Sequence, residues 1–156
     1  MLCSCEAVPS GQIGVIGNTE RLGRVVCNPR HLRKNGELKP GLFPITHIQK
    51  MALSLMRLDQ CDETEAKLQA DHVAQSGTGK DEAVGYSIAS AGALRDLVDD
   101  AGLRLLCVKD DPLVLDRDGV SNPYHALAGS SLFHNDADIV EIKTKLMAAF
   151  SGLVPF

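Results

Sequence analysis

Between residues 62 and 77, Ala66, Leu68, Ala70, Val73 and Ala74 recur in a polar frame, with Asp62 and Glu63 at the start and Gly77 at the stop. Acids at the beginning and glycine past the end suit a helix dipole and a C-terminal cap, so the pattern predicts a helix over residues 62–76. Ile139, Ile142, Leu146, Met147 and Phe150 make one apolar stripe at helical spacing. That stripe predicts a helix over 136–150, capped by Asn135 or Asp136 and closed by Ser151-Gly152. A third helix is expected over 92–101, with Leu94, Leu97 and Val98 inward and Gly102 ending it.

The β signals are shorter. Residues 24–27 (RVVC) are a β-favouring run stopped by Asn28-Pro29, and 83–90 (AVGYSIAS) read as a second strand. Residues 103–108 (LRLLCV) are almost continuously apolar, which predicts a strand deep in the sheet. Residues 113–115 suggest a further short strand, and 13–17 an edge strand. Residues 44–59 carry both periods. Ile45, Ile48, Ala52 and Leu55 sit at helical spacing, while 53–58 alternate, so a short helical or irregular start followed by a strand near 52–58 is expected. Between Arg30 and Gly41, the turn dipeptides Asn35-Gly36 and Pro40-Gly41 predict an exposed excursion. The expected architecture is a single α+β domain over 1–156: a mixed sheet of about five strands, three main helices and the C-terminal helix packed on the sheet. Residues 1–20, rich in Gly, Pro and Ser, read as a loosely held start.

Composition changes this picture little. The 156 residues are 44% apolar and 23% charged, ordinary for a globular protein, and long enough to bury a real core. Aromatics are 4% with no Trp, so Leu, Val, Ile, Ala and Met must fill that core. No apolar run reaches the length of a membrane span, and the first residues lack the basic-then-apolar pattern of a secretory signal. Five cysteines without framework spacing suggest reduced thiols in a bacterial-type cytoplasm, with no disulfide needed for folding.

Charge changes it more. Residues 21–50 hold Arg21, Arg24, Arg30, Arg33, Lys34, Lys39 and Lys50 against one acid, Glu37, a formal +6. The chain as a whole is −4, so the other 126 residues carry −10. This separation points to an anionic partner, either an acidic protein surface or a nucleic-acid backbone, met by Arg30, Arg33, Lys34 and Arg57. No RNP aromatics, zinc-finger spacing or helix-turn-helix pattern accompanies it, and an acidic pI near 5.7 is unusual for a dedicated DNA-binding domain.

Other motifs dissolve on their own requirements. Ser76-Gly77-Thr78-Gly79-Lys80 lacks the first glycine of a phosphate loop, has Asp81 where a hydroxyl is needed and follows a predicted helix. The 116–125 run (DRDGVSNPYH), aligned as a calcium loop with Gly119 at its sixth position, places Val114 and His125 where the end ligands belong. Cys3-Ser4-Cys5 has no second close pair to complete a zinc site. No serine sits in a GxSxG elbow. No metal and no cofactor is expected.

Two functional alternatives remain beside anion binding. His31 among Arg30 and Arg33, with His125 after a Pro-Tyr turn, would make a general base and acid for a hydrolase or nuclease-like reaction if the fold brought them together. The oppositely charged regions would also pair copies of the chain into a homo-oligomer. The leading reading is a binding or interaction protein without catalysis of its own.

Overall fold

A computed structural model describes residues 4–6, 11–77, 79–114, 119–130 and 139–156. In chain order these form β1 (Arg21–Asn28), α1 (Ile45–Gln49), β2 (Leu53–Arg57), α2 (Glu63–Gln75), β3 (Glu82–Ser90), α3 (Ala91–Arg95), β4 (Leu106–Asp110), β5 (His125–Ser130), α4 (Ile139–Ala149) and β6 (Leu153–Pro155). One six-stranded sheet runs in the order β4-β5-β2-β1-β3-β6, and every neighbouring pair is antiparallel. The α+β class stands. Among the described residues the sheet is antiparallel rather than mixed, with six strands and four α-helices rather than about five and three.

Period-2 alternation sends the strands' side chains to two unequal cores. On the larger face, Leu22 and Val26 of β1, Leu53 and Leu55 of β2 and Leu106 and Val108 of β4 pack with Ile48, Leu94, Ile139, Ile142, Leu146 and Phe150 from the helical layer. A buried Leu here contributes about 2 kcal/mol relative to exposure. Gly129 lets α1 approach β5, because a Cβ at that position would collide with the Met51 backbone. The other face carries α2 alone, over Cys27, Met56, Ala83 and Tyr86. Its contact stripe is Ala66, Ala70 and Ala74 with Gln69 beside it, narrow enough for the Tyr86 hydroxyl to donate to the Ala66 carbonyl. Asp62 caps the helix, accepting from the Glu65 N–H at 2.8 Å. Leu68 (60% exposed) points away from this core.

Several expected elements shift. The compromise over 44–59 resolves as α1 followed by β2, with Met51 (φ 54°) turning the chain between them. The helix expected over 92–101 is the five-residue α3, and 13–17 is not a strand. Leu113 contributes only an isolated bridge to Asn122. The expected cap at Asn135 or Asp136 lies outside the described residues.

The apolar strand expected deep in the sheet is instead the edge strand β4, displaced toward Asp110. It is buried all the same, because the segment before β1 covers its edge. Glu6 accepts from the Val108 N–H at 2.9 Å, and the Gly11 N–H donates to Asp110 Oδ2 at 2.6 Å. A Cys5–Cys107 disulfide, Cα atoms 6.1 Å apart, fastens the same segment. The expectation of wholly reduced cysteines is therefore corrected: Cys27 and Cys61 are free, and Cys5 and Cys107 are joined. Within the segment expected to be loosely held, two arginines described below bond to Gly14, Ile16, Asn18 and Glu20. Among the described residues no helix is long and apolar enough to cross a membrane.

Candidate functional site: a cationic cluster around Arg24

The sheet uses its arginines in two ways. Arg57 on β2 is 1% exposed and fully enclosed by acceptors. Its Nε and Nη2 donate to the two oxygens of Glu20 at 2.6 and 3.0 Å, and Nη1 donates to Asp110 Oδ1 at 2.8 Å and the Gly14 carbonyl at 2.7 Å. Burial works against its charge, yet the hydrogen bonds and charges of Glu20 and Asp110 outweigh it and raise its pKa above the ordinary value. Arg95 on α3 repeats the arrangement. It donates to Glu6, to the Ile16 carbonyl at 2.9 Å and to Asn18 Oδ1 at 2.8 Å, while Arg104 reaches Glu6 at 3.2 Å. Arg57, expected among the anion-binding cations, is thus a neutralised brace rather than a surface group.

Arg24 on β1 has a different setting. The β1–β2 register covers only Leu22↔Arg57 and Gly23↔Met56, so the two strands part beyond Gly23. The Arg24 side chain enters that parting. Its Nε donates to the Leu42 carbonyl and its Nη1 to the Ser54 carbonyl, both at 3.0 Å. It forms no ion pair among the described residues. Burial foremost lowers its pKa to about 10, with Cys27 opposing and Arg30 adding a lesser lowering. His31 is pushed down to about 4 by burial first and then by Arg24 and Arg30, with Lys39 adding and Asp81 opposing. His47 is lowered by burial, Arg24 and Lys50. Arg24 and Arg30 thus act together on His31, which Lys39 also reaches, and Arg24 and Lys50 act together on His47.

Of the expected site residues, Arg30 joins this cluster but is paired with Asp81, folded over the end of α2 against Gly77. Arg33 and Lys34 lie on the exposed excursion, which a Leu32–Leu38 bridge and the Arg33 N–H donating to the Glu37 carbonyl (2.8 Å) hold as a hairpin-like loop. Arg33 pairs with Glu37 at 3.6 Å; Lys34 forms no ion pair among the described residues. Arg24, Lys39 and His47 were not picked out from sequence. The available signal was the alternation of β1, which places Arg24 on the same face as Leu22 and Val26, an odd location for a charge.

The structure does not bring His31 and His125 together. His31 Nδ1 accepts from the Cys27 N–H at 3.0 Å just past the end of β1, which leaves its neutral ring with an Nε2–H donor and no free basic nitrogen. His125 opens β5 opposite Met56, whose β1 partner is Gly23. From Gly23 to Cys27 is about 13 Å along the strand, and β1 to β5 about 10 Å across it. His125 Nδ1 faces the carbonyl and a carboxylate oxygen of Asp111 at 2.8 and 3.0 Å, so Nδ1 carries the hydrogen and Nε2 is the basic nitrogen. Such a dyad can orient a base. Of the described residues beside it, Met56 and Asn122 supply no nucleophile.

Among the described residues no three His, Cys, Asp or Glu side chains are grouped to hold a metal ion. In the phosphate-loop-like stretch, Ser76 caps α2 and Thr78 lies outside the described residues, as do 115–118 of the calcium-loop-like run. Comparison with protein-family models, curated proteins and solved structures finds no match.

Proposed function

We propose that the chain is a binding protein, without catalysis of its own, whose basic stretch 21–50 engages an anionic macromolecule. One observation carries this reading. Among the described residues Arg24, half-buried, hydrogen-bonds to two backbone carbonyls and has no carboxylate partner, Arg30 acts on it, and His31 and His47 sense it together with Lys39 and Lys50 respectively. A phosphate or carboxylate arriving here meets guanidinium and ammonium donors, plus the Nε2–H of His31, in partly dehydrated surroundings where charge-assisted hydrogen bonds are strong. Arg33 and Lys34 on the neighbouring loop extend the cationic surface outward. A cytoplasmic setting belongs to the same reading, although the Cys5–Cys107 bridge weighs against a permanently reducing compartment.

The test is a titration of labelled single- and double-stranded oligonucleotides, with heparin as a generic polyanion, over several salt concentrations. Each phosphate neutralised contributes a log–log slope of about −0.7 to −0.9, so three contacts give about −2 to −3. Alanine at Arg30, Arg33 and Lys34 together is expected to flatten the slope, and Lys39→Ala to weaken binding further. No binding to any polyanion at low salt removes nucleic acid as the partner. Unchanged binding by the triple variant removes the loop from the site.

A further inference from the structure

On the α2 face, at the opposite end of β1 from His31, lies a groove of about 660 Å³. Its apolar surface comes from Leu58 after β2, Tyr86 and Ile88 on β3, and Val154 and Phe156 at β6. Val154 is 44% exposed and Phe156 50%, so a β-branched and an aromatic side chain face solvent together. The Tyr86 and Phe156 rings meet edge to face with centroids 5.8 Å apart, which holds the aromatic wall upright.

The mouth of this groove is acidic. Asp59, Asp62, Glu63 and Glu65 lie within seven residues, and Asp62 and Glu63 line the opening directly. The two lining cations are already engaged, Arg21 by Asp59 at 2.7 Å and Lys67 by Asp71 at 3.0 Å. Glu63 is exposed and has no ion pair among the described residues. The Cys61 thiol between them registers the resulting field: burial foremost, then Glu65, Asp62 and Asp59, push its pKa up to about 11. Asp59, Asp62, Glu63, Glu65 and Asp71 against Arg21 and Lys67 leave this mouth a net −3, and an apolar floor under that partly paired rim selects against anionic and purely polar ligands.

We propose that this groove is a docking site for a partner protein's peptide segment in which an aliphatic or aromatic side chain stands beside a lysine or arginine. The apolar side chain lies against Ile88, Val154 and Phe156, and its cationic neighbour meets Glu63 and Asp62. This surface is separate from the Arg24 cluster and takes a ligand of opposite charge, so the two proposals stand or fall independently.

The probe is a fluorescein-labelled ten-residue peptide alternating Lys and Leu, compared with Glu–Leu and Lys–Ser peptides of the same length, read by anisotropy and by backbone amide shifts. The Lys–Leu peptide is expected to bind most tightly and to shift the amides of Cys61, Ile88 and Val154. Phe156→Ala and Glu63→Lys, both at exposed positions, are each expected to weaken it about tenfold without altering the rest of the spectrum. Equal binding of the Lys–Ser peptide, tighter binding of the Glu–Leu peptide, or shifts confined elsewhere would overturn the proposal. So would concentration-dependent shifts of these three amides without peptide, which would assign the groove to a second copy of the chain.

Discussion

Arg57 and Arg24 sit two residues out of register on adjacent strands, yet they solve opposite problems. Arg57 is sealed from water, and Glu20 and Asp110 match its charge. Everything it touches belongs to the chain, and its role is to tie residues 14–20 and the end of β4 to the middle of the sheet. Arg24 lies in the parting between β1 and β2, satisfied by two carbonyls, with cations for company. Burying a charge is tolerable only when something compensates it. Inside the chain that compensation is complete for Arg57 and partial for Arg24. The difference separates an arginine that holds the fold from one that leaves electrostatic room for a ligand.

The largest effect should come from removing the compensated arginine. Arg57→Leu leaves Glu20 and Asp110 as buried carboxylates without a cation, and is expected to cost about 3–5 kcal/mol in denaturant unfolding. Arg24→Leu forfeits two hydrogen bonds to backbone carbonyls and relieves cation–cation repulsion, so about 1–2 kcal/mol is expected. Its polyanion binding should fall sharply, whereas a folded Arg57 variant should retain it. Equal destabilisation by the two substitutions would erase the distinction.

That distinction was only partly legible in the amino-acid sequence. Strong single-period stretches read true: Glu63–Gln75 between its acids and glycine, Glu82–Ser90, and the apolar stripe of Ile139, Ile142 and Leu146. His125–Ser130 (HALAGS) was missed because Ala and Gly carry little β propensity; the strand exists because Leu53–Arg57 and Leu106–Asp110 pair with it on either side. Leu106–Asp110 was placed too deep because its burial comes from a covering segment and not from a second strand. Net charge marked the basic stretch but could not tell paired from unpaired cations. Asp81 and Asp59 are remote in sequence from Arg30 and Arg21, which they neutralise, and Glu20 is remote from Arg57.

A smaller effect follows from His31, whose pKa near 4 reflects burial and the same cations. The unfolded imidazole binds a proton near pH 6.5 and the folded one does not until about 4, so between those values the unfolded state holds more protons. His31 therefore supports the fold fully above pH 6.5, and that support is lost as pH falls toward 4. Asn at position 31 keeps an acceptor for the Cys27 N–H and does not titrate. Across this interval the wild type should lose roughly 2–3 kcal/mol more than His31→Asn. Saturating heparin should shrink that difference, because a bound anion favours the charged imidazole. If heparin leaves it unchanged, the anion binds away from Arg24.

The smallest expected effect is also the most discriminating. His47 is exposed on α1, and its imidazole senses both Arg24 and Lys50. His47→Glu places a carboxylate where the proposed ligand's charge would lie, in effect turning the Arg24 setting toward that of Arg57. The gain in stability should be small, about 0.2–1 kcal/mol, because the new pair stays partly solvated. Screening should make it smaller at high salt. The same substitution should weaken polyanion binding, since an internal carboxylate now competes for the site, whereas His47→Gln should change neither property. Stability and affinity are thus predicted to move in opposite directions from one exposed change. A rise in stability with undiminished binding would mean that Arg24 is only a brace across the strand parting, and that the anion is held by the loop cations alone.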